Sequence, residues 1–240
     1  MKRNANSQNK TKKYRKTNTL LSDIANSDVE GILISCSKHS SQAYLEIISI
    51  LNDINEIEYN ENTEKYSSMD LPMDDKFEKF IWKAYDTRMK SFMFFSKPQV
   101  ISKSIVEIIQ NLFMKMETSK CSFGSNILRI SPVLGLSSTK IELFQRLVNK
   151  KLENLEKYDS FAIQFKKRNN SNLDKEDVIN IVHSRITNFV NFANIRLKSA
   201  HLTINVETIM NVALLIMYPD FEKFSKYNPQ QFIINICKNL

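Results

Sequence analysis

Ser160 to Asn170, SFAIQFKKRNN, is the stretch on which the reading of this chain turns. Phe161, Ile163 and Phe165 recur at period two, which predicts a strand with one apolar face. Lys166, Lys167, Arg168, Asn169 and Asn170 then gather at its C-terminal end, where the backbone leaves the sheet. A helix is predicted to open next, in NNSNLDKEDVINIVHSRI, with Asp174 as N-cap and Asp177 three residues on. Helix-start amides would then lie beside a cationic cluster, an arrangement that can hold phosphate. A solvated KKR at a strand end is the plainer account of the same residues.

Working outward, the order of apolar patterns defines two halves. The first reads as a strand at 31–35, a helix at 42–53, a long acidic loop near 55–75, a strand at 92–95, a helix at 103–114 and a strand at 126–131, an order that suits an α+β ferredoxin-like sandwich. The second reads as a helix at 139–157, a strand at 161–167, a helix at 175–189, strands at 201–207 and 212–217 and a short helix at 229–237, a compact α/β module. HLTINVETI and VALLIMY are continuous enough in apolar character to be central strands covered on both faces. With three glycines in the chain there is no Gly-rich linker, so the junction is sought in the charged segment Ser137 to Tyr158. There Ile141, Phe144, Leu147, Val148, Leu152 and Leu155 recur at helical spacing, which puts the boundary just before it. The expected organisation is a basic disordered arm over 1–27, a first domain over 28–136 and a second over 137–240. Phe77, Phe80, Ile81 and Tyr85 are also spaced as on a helix, and core packing is the favoured role for this aromatic group, with base stacking by Trp82 and Tyr85 the alternative.

Charge is partitioned along the chain. The first 16 residues carry seven basic side chains and no acid, residues 17–80 hold four basic and thirteen acidic groups, and the remaining 160 balance 23 against 13. An acidic island thus separates two basic regions, and the partner-facing surface of the folded part is expected in the second half. The leader MKRNANSQNKTKKYRK lacks an apolar h-region and reads as a nuclear address, a non-specific RNA arm or a solubilising tail. Cys36, Cys121 and Cys237 are odd in number, far apart and without a CxxC pair, which points to a reducing compartment and buried thiols. The three histidines show no metal-ligand spacing, and no metal site is expected. No G-x-G-x-x-G, P-loop, deaminase signature or nucleophile elbow occurs, so the expectation is a non-catalytic chain without a cofactor.

An ordered series of short segments resembles the THUMP domain, and in particular the stand-alone THUMP proteins that act as adaptors in tRNA cytidine acetylation. The matching residues are FAIQFKKRN, LDKEDVI, Arg196-Leu197-Lys198, the strand ending in Val206-Glu207, and the closing FEKFSKYNPQQF of Phe221 to Phe232. Upstream, GILISCS, SSQAYLEIISILNDI and NILRISPVLG resemble the ferredoxin-like domain that precedes THUMP in that family. NVALLIMY departs from the family in lacking a glycine before its apolar run.

The resemblance implies a tRNA-binding adaptor that presents tRNA to a separate RNA cytidine acetyltransferase for N4-acetylcytidine formation in the D-arm. Acetyl-CoA and ATP would belong to that partner enzyme. The RNA-contact residues it implies are Lys166, Lys167, Arg168 and Asn169 at the strand end, Lys198 in the loop, Lys226, Tyr227 and Asn228 in the closing segment, and Arg129 at the junction. A monomer without membrane attachment is expected, in the nucleus or nucleolus, with the cytoplasm as the alternative. The match ends within a few residues of Leu240, so a fused downstream enzyme is not expected. The rival expectation is a structural or assembly RNA-binding protein with no role in acetylation.

Overall fold

The computed structural model describes residues 16–37, 41–61, 81–122, 124–153, 155–169, 172–190, 194–196 and 199–238. Among them are nine strands: β1 (Lys16–Leu20), β2 (Gly31–Cys36), β3 (Lys83–Asp86), β4 (Phe92–Ser96), β5 (Ile127–Ser138), β6 (Ser160–Arg168), β7 (Asn194–Ile195), β8 (Leu202–Ile209) and β9 (Val212–Pro219). Five α-helices accompany them: α1 (Ser41–Glu61), α2 (Ile105–Ser119), α3 (Ile141–Lys151), α4 (Lys175–Phe189) and α5 (Pro229–Lys238). The strands form a single sheet in the order β1-β3-β4-β2-β5-β9-β8-β6-β7, a mixed α/β fold.

β5 holds the two halves together. Its residues from Ile127 to Val133 pair antiparallel with β2, and those from Val133 to Ser138 pair antiparallel with β9. The register shifts between Val133 and Gly135, which lets one strand serve two neighbours while the sheet turns. Gly135 also admits α3: a Cβ there would lie 2.6 Å from Leu147 Cδ1. The expected division between residues 136 and 137 therefore falls within this strand.

Every residue of β8 and β9 is buried, because LTINVETI and VALLIMYP carry apolar side chains toward both faces of the sheet. Each large aliphatic side chain so enclosed contributes about 1.5–3 kcal/mol relative to exposure. The helices follow from their stripes. Val178, Val182 and Ile186 are buried on α4, and Phe144, Leu147 and Val148 on α3. α2 is started by a capping box: the Glu107 amide donates to Ser104 Oγ at 3.3 Å and Glu107 Oε2 accepts from the Ser104 amide at 3.0 Å.

Several expectations are corrected. Residues 16–24, assigned by composition to a disordered arm, form β1 and a 3-10 turn, because β1 finds a parallel partner in β3. Residues 1–15 lie outside the described residues. The first seven residues of the expected acidic loop continue α1 to Glu61, and most of the rest lies outside the described residues. Lys83–Asp86 is a strand rather than part of a helix, since pairing with β4 outweighs the helical spacing of its aromatics. Trp82 beside it is fully buried, and its indole N–H donates to Asn55 Oδ1 at 2.9 Å. The helix expected over 139–157 ends at Lys151, and Leu152 and Leu155 reach the core from beyond it. Of the thiols only Cys36 is buried, while Cys121 and Cys237 are exposed.

Candidate nucleic-acid interface

The end of β6 distributes its cations between two faces. In the parallel pairing with β8, Lys166 stands opposite Glu207, Lys167 opposite Thr208 and Arg168 opposite Ile209. Alternate residues share a face, so Lys166 and Arg168 project with Glu207 while Lys167 projects to the other side. Glu207 is almost fully buried, and Arg168 Nε–H donates to its Oε1 in a short ion pair. The Arg168 guanidinium also lies over the ring of Phe92 on β4, 4.5 Å from its centroid. An aromatic residue from the first half thus braces a cation from the second.

Arg129, on β5, completes the cluster. Its guanidinium sits 5.6 Å from the centroid of Phe221, close to the Tyr218 hydroxyl, which donates to Ser131 Oγ at 2.6 Å. Burial pushes the Tyr218 phenol up to about 12. Lys166 is held below the usual lysine value by its burial and, secondarily, by the Arg129 charge; Glu207 opposes this and Arg168 adds to it. Lys166 therefore feels the charges of Arg129, Arg168 and the buried Glu207 carboxylate together. Such a surface, with more fixed cations than acids, suits a phosphate-bearing partner.

The remaining sequence-derived residues scatter. Lys167 pairs with Asp174 Oδ1 at 3.4 Å, and although Asp174 is the N-cap of α4 its side chain makes no capping bond. Asn169 is exposed just past β6, with φ at +48°. Lys226 is exposed, 4.0 Å from Glu222. It belongs to a left-handed turn in which Ser225, Lys226 and Tyr227 have φ of 49°, 60° and 59°. Tyr227 is fully buried, its hydroxyl donating to the Pro219 carbonyl at 2.8 Å, so it is a core residue and presents no ring to RNA. Asn228 Oδ1 accepts from the Gln231 amide at 2.9 Å and caps α5. Lys198 lies outside the described residues.

Sequence reasoning missed three members of the cluster: Glu207, Phe92 and Tyr218. Glu207 was visible as a lone acid in an apolar run, and only the β6–β8 register gives it Lys166 as a neighbour. Among the described residues no group of three or more His, Cys, Asp or Glu could hold a metal ion, and no helix is long and apolar enough to cross a membrane.

Lys166, Arg168 and Glu207 all fall within residues 141–217, which match the THUMP domain. THUMP domain-containing protein 1 of Bos taurus is 24% identical over 235 residues, covering 88% of this chain and 65% of that protein. Its Homo sapiens counterpart is 24% identical over 228 residues, covering 85% of this chain and 64% of that protein. The domain match and these relatives together support a THUMP protein. The chain spans about 65% of the length of the curated relatives it matches. Among solved structures, a 4-thiouridine synthetase–RNA complex with bound ATP is 14% identical, with coverage of 79% of this chain and 41% of that chain and a TM-score of 0.45.

Proposed function

We propose that this chain is a non-catalytic RNA-binding adaptor. It grips tRNA and presents it to a separate RNA cytidine acetyltransferase, which forms N4-acetylcytidine in the D-arm. The observation that carries RNA binding is the grouping of Arg129, Lys166 and Arg168 on the sheet face that holds the Arg168–Glu207 ion pair. A phosphodiester approaching that face supplies the anions the cluster lacks, and the aromatic brace at Phe92 keeps Arg168 presented rather than collapsed onto the sheet. The match to the THUMP domain supports RNA as the partner, and the sequence resemblance to the adaptor proteins supports the acetyltransferase as the client.

In this reading the first half orients the RNA. Its element order, β2-α1-β3-β4-α2-β5, with β3, β4, β2 and β5 adjacent and antiparallel, supports a ferredoxin-like unit beside the THUMP domain. The chain works as a monomer in the nucleus or nucleolus, carries no cofactor, and leaves acetyl-CoA and ATP to the enzyme.

Deleting the gene and mapping N4-acetylcytidine in purified tRNA tests the assignment. The modification should disappear and return with the wild-type protein, but not with a Lys166→Glu, Arg168→Glu double variant. Lys167→Glu, on the opposite face, should restore it nearly in full. Unchanged acetylation after deletion would sink the adaptor role. Affinity for whole tRNA, measured by fluorescence anisotropy, should drop roughly tenfold or more in the double variant, with a shallower salt dependence.

A further inference from the structure

β6 stands next to the end of the sheet, and its outer neighbour, β7, covers only Ser160 and Phe161. On that outer side the Phe161 carbonyl accepts from the Arg196 amide at 2.8 Å, while the Arg168 carbonyl accepts from the Met210 amide at 3.1 Å on the β8 side. In a strand the N–H and C=O of one residue point the same way, opposite to those of the next. Ile163, Phe165 and Lys167 therefore direct their backbone groups outward, past the end of β7, and Gln164, Lys166 and Arg168 serve the ladder to β8. Among the described residues nothing hydrogen-bonds the outward groups.

Such edges are usually short, covered or charged, because a row of unpaired peptide groups is a template for another chain. Along this one the side chains set out two margins. Ile163 and Phe165 are half-buried on the face that also carries Lys167, and Ile195 is exposed on β7 nearby. On the other face Lys166 makes no ion pair among the described residues, since the buried Glu207 carboxylate is committed to Arg168. The edge thus alternates donors and acceptors between an apolar margin and a cationic one. A row of phosphates can only accept, and leaves the carbonyls unanswered; a second peptide backbone answers both kinds of group. The surplus cation selects acids among that peptide's side chains.

We propose that the β6 edge is a docking site for an extended, acidic segment of a protein partner, which adds to the sheet as a further strand along residues 163–167. Its apolar side chains lie beside Ile163 and Phe165, and its acids beside Lys166. The docking stands apart from the RNA reading, although Lys166 serves both.

The full chain, labelled with 15N, would be followed by amide hydrogen exchange and titrated separately with the synthetic peptide acetyl-VEVEVE-amide, its fully N-methylated form, acetyl-VKVKVK-amide and tRNA. In the free chain the Ile163, Phe165 and Lys167 amides should exchange much faster than those of Gln164 and Lys166. The acidic peptide should slow these three roughly tenfold or more at saturation, with a Kd of about 100 μM or below. N-methylation should abolish binding, because it removes the donors of the ladder, and Lys166→Glu should weaken it roughly tenfold. No slowing at the three amides, or equal binding by the N-methylated peptide, would overturn the proposal. Equal binding by the lysine peptide, or indifference to Lys166→Glu, would overturn its acidic character. Protection of the same amides by tRNA and not by the peptide would give the edge to RNA instead.

Discussion

Glu207 decides the character of the interface at the residue scale. It pairs with Arg168 and acts on Lys166, while the Phe92 ring lies against the Arg168 guanidinium. Replacing it with glutamine removes the counter-charge without changing the shape. The expected result is a lower melting temperature, from loss of the buried ion pair, together with a plot of log affinity for RNA against log salt that is steeper by about one unit. An unaltered slope would mean that the cluster does not face the RNA. Lys166 and Lys167 show how far adjacent residues diverge: identical in sequence terms, one joins the cluster and the other pairs with Asp174 on the far side.

At the scale of elements, α2 is the helix whose start is written most plainly in sequence. Ser104 and Glu107 form its capping box, and the Glu107 carboxyl is held below its ordinary value of 4.5, first by the Ser104 hydroxyl and then by the Ser104 amide. A lowered carboxyl stabilises the fold fully above its unfolded value, and the contribution is lost as pH falls through the folded value. Glu107→Gln should therefore flatten the acid limb of a melting-temperature profile below about pH 4.5, relative to the wild type. Ser104→Ala should cost about 1 kcal/mol in a denaturant melt near neutral pH. A different element, the turn at Ser225–Tyr227, shows the limits of motif reading. Its lysine, tyrosine and asparagine look alike as candidate RNA contacts, yet burial of Tyr227 and the cap made by Asn228 give two of them structural work.

For the molecule as a whole, β5 is the element that matters most, because it belongs to both halves of the sheet. Unfolding should consequently be a single transition. Fluorescence of Trp82, the sole tryptophan, reports the first half, and near-ultraviolet circular dichroism weighted by Tyr218 and Tyr227 reports the second. Their denaturant midpoints should coincide, and separated midpoints would show that the halves fold independently. Much of the architecture was legible beforehand. Local periodicity located β2, β4, β6, β8, β9 and the five helices among the described residues, because the alternation of apolar side chains is a property of neighbours along the chain. It was silent on β1 and misread β3, short strands that exist only because of the partners they pair with. The sequence by itself determined the helices and the longer strands, the placement of basic groups at the end of β6 and the resemblance to a THUMP domain. Only tertiary structure decided that Arg168 pairs with Glu207 beside Lys166, that Phe92 braces Arg168 and that Tyr227 is core. Those relations depend on strand order and register between segments far apart in the chain, and nothing in local spacing encodes which strands will be adjacent.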